Sequence, residues 1–110
     1  MNLIVTIQGD ISIVVIAINH LDVSNVGEFK SELLQMVKDH KKVILDCEQI
    51  RMVDSSGLGA IINIAQSLRA AGGVLKLAAV GKGVSALFEL VRMHRMVGLY
   101  DTVDEAVKSF

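Results

Sequence analysis

The chain has 110 residues, 52% of them apolar and only 4% aromatic, and a formal charge of -1 at pH 7. That length favours one domain, 1–110, around a single core, and the apolar content excludes a disordered chain. With no long run of either sign, the charge argues against the concentrated basic face that a nucleic-acid partner needs.

The apolar start carries no basic segment, and Gln8, Gly9, Asp10 and Ser12 interrupt it before a membrane-spanning length is reached. Neither a signal peptide nor a membrane anchor is expected. Residues 3–7 and 11–18 are apolar runs flanking Gly9-Asp10, a pair suited to a tight turn, and they predict an antiparallel hairpin. Beyond Asp22, the side chains Val26, Phe29, Leu33 and Met36 or Val37 recur at helical spacing. Asn25 is the expected N-cap of this first helix, its side chain accepting from an early amide.

Residues 43–47 are β-branched at their start and bounded by Lys41-Lys42 and Glu48-Gln49, which predicts a buried strand. Cys47, the sole cysteine, has no disulfide partner and reads as a small packed side chain in a reducing, cytoplasmic setting. Lys38, His40, Lys41 and Lys42 read as a solvated helix end and loop. The stripe Leu58, Ile61, Ile62, Ala65 and Leu68 predicts a second helix over 56–71 with those residues turned to the sheet, ended by Gly72-Gly73. A strand over 74–80, a helix carrying Val84, Leu87, Phe88 and Val91, and a short strand over 97–100 follow. Thr102 and Glu105 make a capping box before Val103, Ala106, Val107 and Phe110. Helical crossovers between successive strands imply parallel pairing there. The expected class is therefore α/β, a single domain with a mixed β-sheet, an N-terminal antiparallel hairpin and helical crossovers packed against it.

The informative segment is Asp54-Ser55-Ser56-Gly57-Leu58-Gly59, between a strand with its trailing loop and the second helix. Hydroxyls at a helix start lie where backbone amides lack intrahelical acceptors and the dipole end is positive, a place that accepts an anion. On the residues alone the capping reading takes precedence, with Asp54, Ser55 and Ser56 only capping and the glycines allowing the helix to pack closely on the sheet.

This segment, following a strand and opening a helix, resembles the phosphorylation motif of the anti-sigma-factor antagonists, proteins built on a STAS domain. The similarity extends to the hairpin start, Leu21-Asp22 before the first helix, Val43-Ile44-Leu45-Asp46, and Leu87-Phe88-Glu89-Leu90. It implies that Ser55, directly after Asp54, is the phosphorylated serine, that Ser56 is the next hydroxyl position, and that Asp22 lies near the phosphosite. Asp22, Asp54, Ser55, Ser56, Gly57, Leu58 and Gly59 would form the partner-binding surface. The implied partners are an anti-sigma factor or switch kinase of the histidine-kinase-like ATPase type, acting on serine, and a PP2C-type phosphatase. The unphosphorylated form would bind, and phosphorylation of Ser55 would release it. Where the family often has Gly-Glu or a similar pair before Leu-Asp, this chain has Asn19-His20, a titratable imidazole in place of a fixed negative charge.

STAS domains also serve lipid and anion transporters, so an accessory transporter subunit is the rival reading; the complete Asp-Ser-Ser-Gly segment argues for the switch. No enzyme is expected, because Val53 or Asp54 stands where a serine-hydrolase elbow needs its first glycine. Gly81-Lys82-Gly83 lacks the upstream glycine and following hydroxyl of a P-loop. His20, His40 and His94 are far apart and lack metal-ligand spacing, so neither metal nor other cofactor is expected. Arg92 to Met96 could offer a cationic contact surface, though its methionines more often fill a core.

Overall fold

A computed structural model describes residues 2–110; Met1, with which the expected domain begins, lies outside the described residues. Strands β1 (Leu3–Gln8) and β2 (Ile11–Ile16) pair antiparallel in unbroken register from Leu3 opposite Ile16 to Gln8 opposite Ile11. Gly9 closes this hairpin at φ 63°, the positive φ that a type II′ turn requires at its first central residue. Strand β2 stops two residues short of the expected 11–18 run.

Next come β3 (His20–Leu21), α1 (Val26–Met36), β4 (Lys42–Asp46), β5 (Met52–Val53), α2 (Ser55–Ala70) and β6 (Val74–Ala78). The chain ends with α3 (Lys82–Leu90), a 3-10 turn (Met93–Arg95), β7 (Gly98–Tyr100) and α4 (Val103–Lys108). The main sheet has the order β1-β2-β4-β6-β7, and every pairing after the hairpin is parallel, as the helical crossovers require. Strand β6 ends before the expected residue 80 because Ala79 takes the left-handed conformation, φ 58°, while its amide donates to Tyr100 O at 3.0 Å.

Alternation along the strands divides the core. Val14, Ile16, Val43, Leu45, Leu75 and Leu77 meet Phe29 and Leu33 of α1, the apolar face of α2, and Val84 and Phe88 of α3. Ile11, Ile13, Ile44 and Ala78 face the other way, onto Ala106 of α4 and the half-buried Val103, Val107 and Phe110. Lys76 lies with its Nζ 3.9 Å from the centre of the Phe110 ring and donates to Ser109 Oγ at 2.7 Å, which ties α4 to the sheet. Lys42 pairs at 2.9 Å with Asp10 of the hairpin turn. Cys47 is buried, and that desolvation, reinforced by the negative charge of Asp46, pushes its thiol up to about 12. Met93 is fully buried, so the Arg92 to Met96 segment carries a core residue within its cationic run.

Two expectations about side-chain direction need correction. Ile62 is half-buried at the flank of α2, and Ile64 takes the sheet-facing place, fully buried with Ile61. Both residues fit an apolar stripe at helical spacing, and the broad buried face of α2 is centred nearer Ile64. Asn25 precedes α1 but makes no cap hydrogen bond; its side chain turns back into the preceding loop.

Candidate functional site

The site is built on a second, two-stranded sheet that hydrophobic patterning does not announce. Strands β3 and β5 pair in parallel, His20 opposite Met52 and Leu21 opposite Val53, outside the five-stranded sheet. Asn19 O accepts from the amides of Arg51 and Met52 at 2.7 and 3.2 Å, and Leu21 O accepts from Asp54 N at 3.2 Å. The segments leading to Asp22 and Asp54 therefore run side by side.

Asp54 is the N-cap of α2, in extended backbone conformation. Its Oδ1 accepts from Gly57 N at 2.9 Å, satisfying one of the helix's orphan donors. Its Oδ2 accepts from Val23 N at 3.1 Å, so the same carboxylate holds the loop that carries Asp22. Gly57 lets the first turn of α2 lie against that loop: a Cβ there would come within 2.6 Å of Leu21 O and 2.8 Å of Val53 Cγ1. Gly59 meets nothing within 4 Å and is exposed, so close packing explains only the first of the two motif glycines. Leu58 is buried and anchors the turn in the core.

Ser55, the first residue of α2, is exposed, and Ser56 is half-buried. Neither hydroxyl is the cap, and the first turn carries no acidic residue. An acceptor at Ser55 thus stands at the positive end of a helix whose first amides point outward. A phosphate placed there meets a favourable helix end.

Asp22 lies half-buried just beyond β3. Its Oδ1 accepts from the Ser24 hydroxyl at 2.5 Å and the Ser24 amide at 2.9 Å. Those two bonds, hydroxyl first, hold its carboxyl below the usual range, helped by the nearby His20 and opposed by slight desolvation. Asn25 completes the loop: Oδ1 accepts from Asp22 N at 3.0 Å and Nδ2 donates to His20 O at 2.9 Å. His20 Nδ1 donates to Asn19 Oδ1 at 2.9 Å, so Asn19-His20 belongs to the same hydrogen-bonded loop.

Sequence reasoning missed Val23 and Met52, which flank this arrangement and are 76% and 57% exposed. Their signal is position only: Val23 directly follows Asp22, and Met52 opens the short strand before Asp54. Among the described residues, no group of His, Cys, Asp and Glu could hold a metal ion, and no helix is long and apolar enough to cross a membrane. A cavity of about 320 Å³ lies elsewhere, between Arg69, Val74 and His94 to Gly98. The site is an open surface with a hydroxyl, two carboxylates and two apolar side chains, suited to contact with a macromolecule.

A family model described as the STAS domain matches residues 2–106. The chain belongs to the STAS domain family. One relative of this STAS domain is a Thermotoga maritima protein named "Putative anti-sigma factor antagonist", 30% identical over 90 residues that span 80% of each chain. The crystal structure of such a protein from Thermotoga maritima superimposes with a TM-score of 0.86 at 28% identity, over 97% of this chain and 92% of that one. The phosphorylated form of the Bacillus cell fate determinant SpoIIAA shares the fold, with a TM-score of 0.72 at 16% identity over 98% of both chains. The resemblance drawn from the Asp54 to Gly59 segment and the flanking strands thus led to the family that the whole chain matches.

Proposed function

We infer that this STAS domain is an anti-sigma factor antagonist whose binding is switched by phosphorylation of Ser55. The observation that carries the reading is an exposed Ser55 on the first turn of α2, with Asp54 already serving as the cap. The hydroxyl is therefore spare: modifying it breaks no hydrogen bond that holds the fold. In the unphosphorylated state the surface of Asp22, Asp54, Ser55, Ser56 and the Gly57-Leu58-Gly59 turn docks on an anti-sigma factor, displacing its client. That partner is also the serine kinase, of the histidine-kinase-like ATPase type, and a PP2C-type phosphatase resets the protein. The domain acts in the cytoplasm as a binding protein and kinase substrate, without catalysis of its own.

Phosphorylation adds about 1.5 to 2 negative charges and a hydrated group. The helix end tolerates that charge, whereas an apolar partner face over Val23 and Met52, or a partner carboxylate, does not. Each factor of ten in affinity needs only about 1.4 kcal/mol of differential binding, within reach of one desolvated phosphate. The test is intact-mass and peptide mapping after incubation with the host's candidate kinase and ATP, beside calorimetry of both forms with that partner. One phosphate on Ser55 and loss of binding are expected. Equal affinity of both forms, or phosphate outside Ser55 and Ser56, overturns the reading.

A further inference from the structure

The edge of the main sheet offers a surface that the switch does not use. Strand β1 pairs on one side only, with β2. Ala17 N donates to Asn2 O at 2.8 Å, and the register then runs without a bulge to Gln8 opposite Ile11. Hydrogen-bonded and non-hydrogen-bonded pairs alternate in an antiparallel ladder, so Asn2, Ile4, Thr6 and Gln8 turn their amides and carbonyls to β2. Leu3, Val5 and Ile7 turn theirs outward, to the open edge.

That edge has none of the usual protections. It is a six-residue strand with no charge, no proline and no bulge, and Ile4, Val5 and Ile7 are 55%, 37% and 55% exposed. The opposite edge differs. Strand β7 has three residues, α4 packs against it, and the Tyr100 ring lies over Gly98.

We propose that the β1 edge pairs with the β1 edge of a second copy of this chain, antiparallel, with Val5 on the two-fold axis. Two requirements restrict the register. A continuous sheet keeps each face with itself, so residues of the same parity must oppose one another; the outward amides and carbonyls must also meet outward partners. Centrings on Ile4, Val5 and Thr6 all satisfy both, and the one on Val5 alone pairs all three outward residues, Leu3, Val5 and Ile7, with one another. Val5 then exchanges hydrogen bonds with the second copy's Val5, and Leu3 with its Ile7, at both ends of the strand. On the helix-bearing face, where Leu3 packs against the core, the new side-chain neighbours are Val5 with Val5 and Leu3 with Ile7. On the other face Ile4 meets Thr6, and Asn2 meets Gln8 at each end. No charged residue is brought opposite another.

The occupant is a second copy because the edge is complementary to itself, and because β7, with three residues, is too short to take the six-residue β1 in a head-to-tail array. The contact closes at a dimer, joining two five-stranded sheets into one. Pairing of one short strand buries less than the ~1,200 Å² of a stable complex, so association depends on concentration. The edge contains none of the residues assigned to the switch surface, and the dimer stands or falls independently of that reading.

Sedimentation equilibrium of the full chain from micromolar to millimolar concentration tests the proposal, with circular dichroism to confirm folding. Wild type should pass from monomer to dimer and stop there. Val5→Lys and Val5→Glu should each remain monomeric, and their equimolar mixture should regain a one-to-one dimer, since residue 5 faces residue 5. In the wild type, the amides of Leu3, Val5 and Ile7 should exchange more slowly as concentration rises, a readout that needs no variant. The proposal is overturned by a wild type that stays monomeric at millimolar concentration or assembles beyond a dimer, by a dimer that survives Val5→Lys, by a mixture that stays monomeric, or by exchange at those amides that ignores concentration.

Discussion

Asp54 and Val23, 31 residues apart in sequence, are joined by a 3.1 Å hydrogen bond from the Val23 amide to Oδ2 of the carboxylate that also caps α2. One side chain thereby fixes both the helix that presents Ser55 and the loop that presents Asp22.

Asp54→Ala should accordingly do more than remove a cap. Loss of the N-cap alone costs about 0.5–2 kcal/mol, and release of Val23 adds local freedom to the loop. Urea denaturation should report the first effect. Faster hydrogen exchange at the amides of Val23 and Gly57 should report the second, and an unchanged Val23 amide would show that the loop is held by other contacts.

Substitution at Ser55 should separate stability from signalling. Ser55→Ala breaks no capping bond, so its stability should stay within about 0.5 kcal/mol of wild type. It should bind the anti-sigma factor constitutively, while Ser55→Asp, with one charge where the phosphate has nearly two, should weaken binding less than phosphorylation does. Ser56→Ala should still accept phosphate at Ser55. Calorimetry beside kinase-treated wild type measures all of these.

The two motif glycines should respond oppositely to alanine. Gly57→Ala drives a methyl into Leu21 O and Val53, and should cost about 1–3 kcal/mol. Gly59→Ala enters open space within the helix and should stabilise by about 0.4–1 kcal/mol. Thermal or chemical denaturation of the pair checks both signs, and equal effects would refute the close approach of α2 to β3.

Asp22 should titrate below the ordinary aspartate value of about 3.9. Because its folded pKa is the lower one, its contribution to stability is present above the unfolded pKa and is lost as pH falls through the folded value. Carbon-detected NMR titration should show the low midpoint, and Ser24→Ala should move it back towards normal, since the Ser24 hydroxyl is the largest cause. Asp22→Ala should keep a cooperative thermal transition while weakening partner engagement or phosphorylation. Unaltered affinity and phosphorylation rate would remove Asp22 from the surface.

The hairpin, the four helices and the mixed sheet were legible because each rests on local periodicity or turn chemistry, as at Gly9-Asp10 and Thr102, whose Oγ1 accepts from Glu105 N. The β3–β5 ladder was not, because each strand has two residues and Met52 is exposed, leaving no alternation to read. The resemblance brought Asp22 and Ser55 to one place, yet the clamp that joins them depends on pairing between distant segments. Asn25 shows the same limit: it stands at the boundary where a cap belongs, but two loop backbone groups, Asp22 N and His20 O, compete successfully for its amide. Ile62 and Ile64 could not be ranked from spacing alone, since α2 buries residues over more than a narrow stripe.

The burial of Cys47 has a practical consequence for watching such a switch. With its thiol held protonated at neutral pH and closed off from solvent, the chain's one sulfhydryl is a poor target for alkylating dyes. A cysteine introduced at exposed Met52 would therefore take a fluorophore selectively without removal of the native thiol, placing a reporter beside the proposed docking surface. The protein comes ready for single-site labelling.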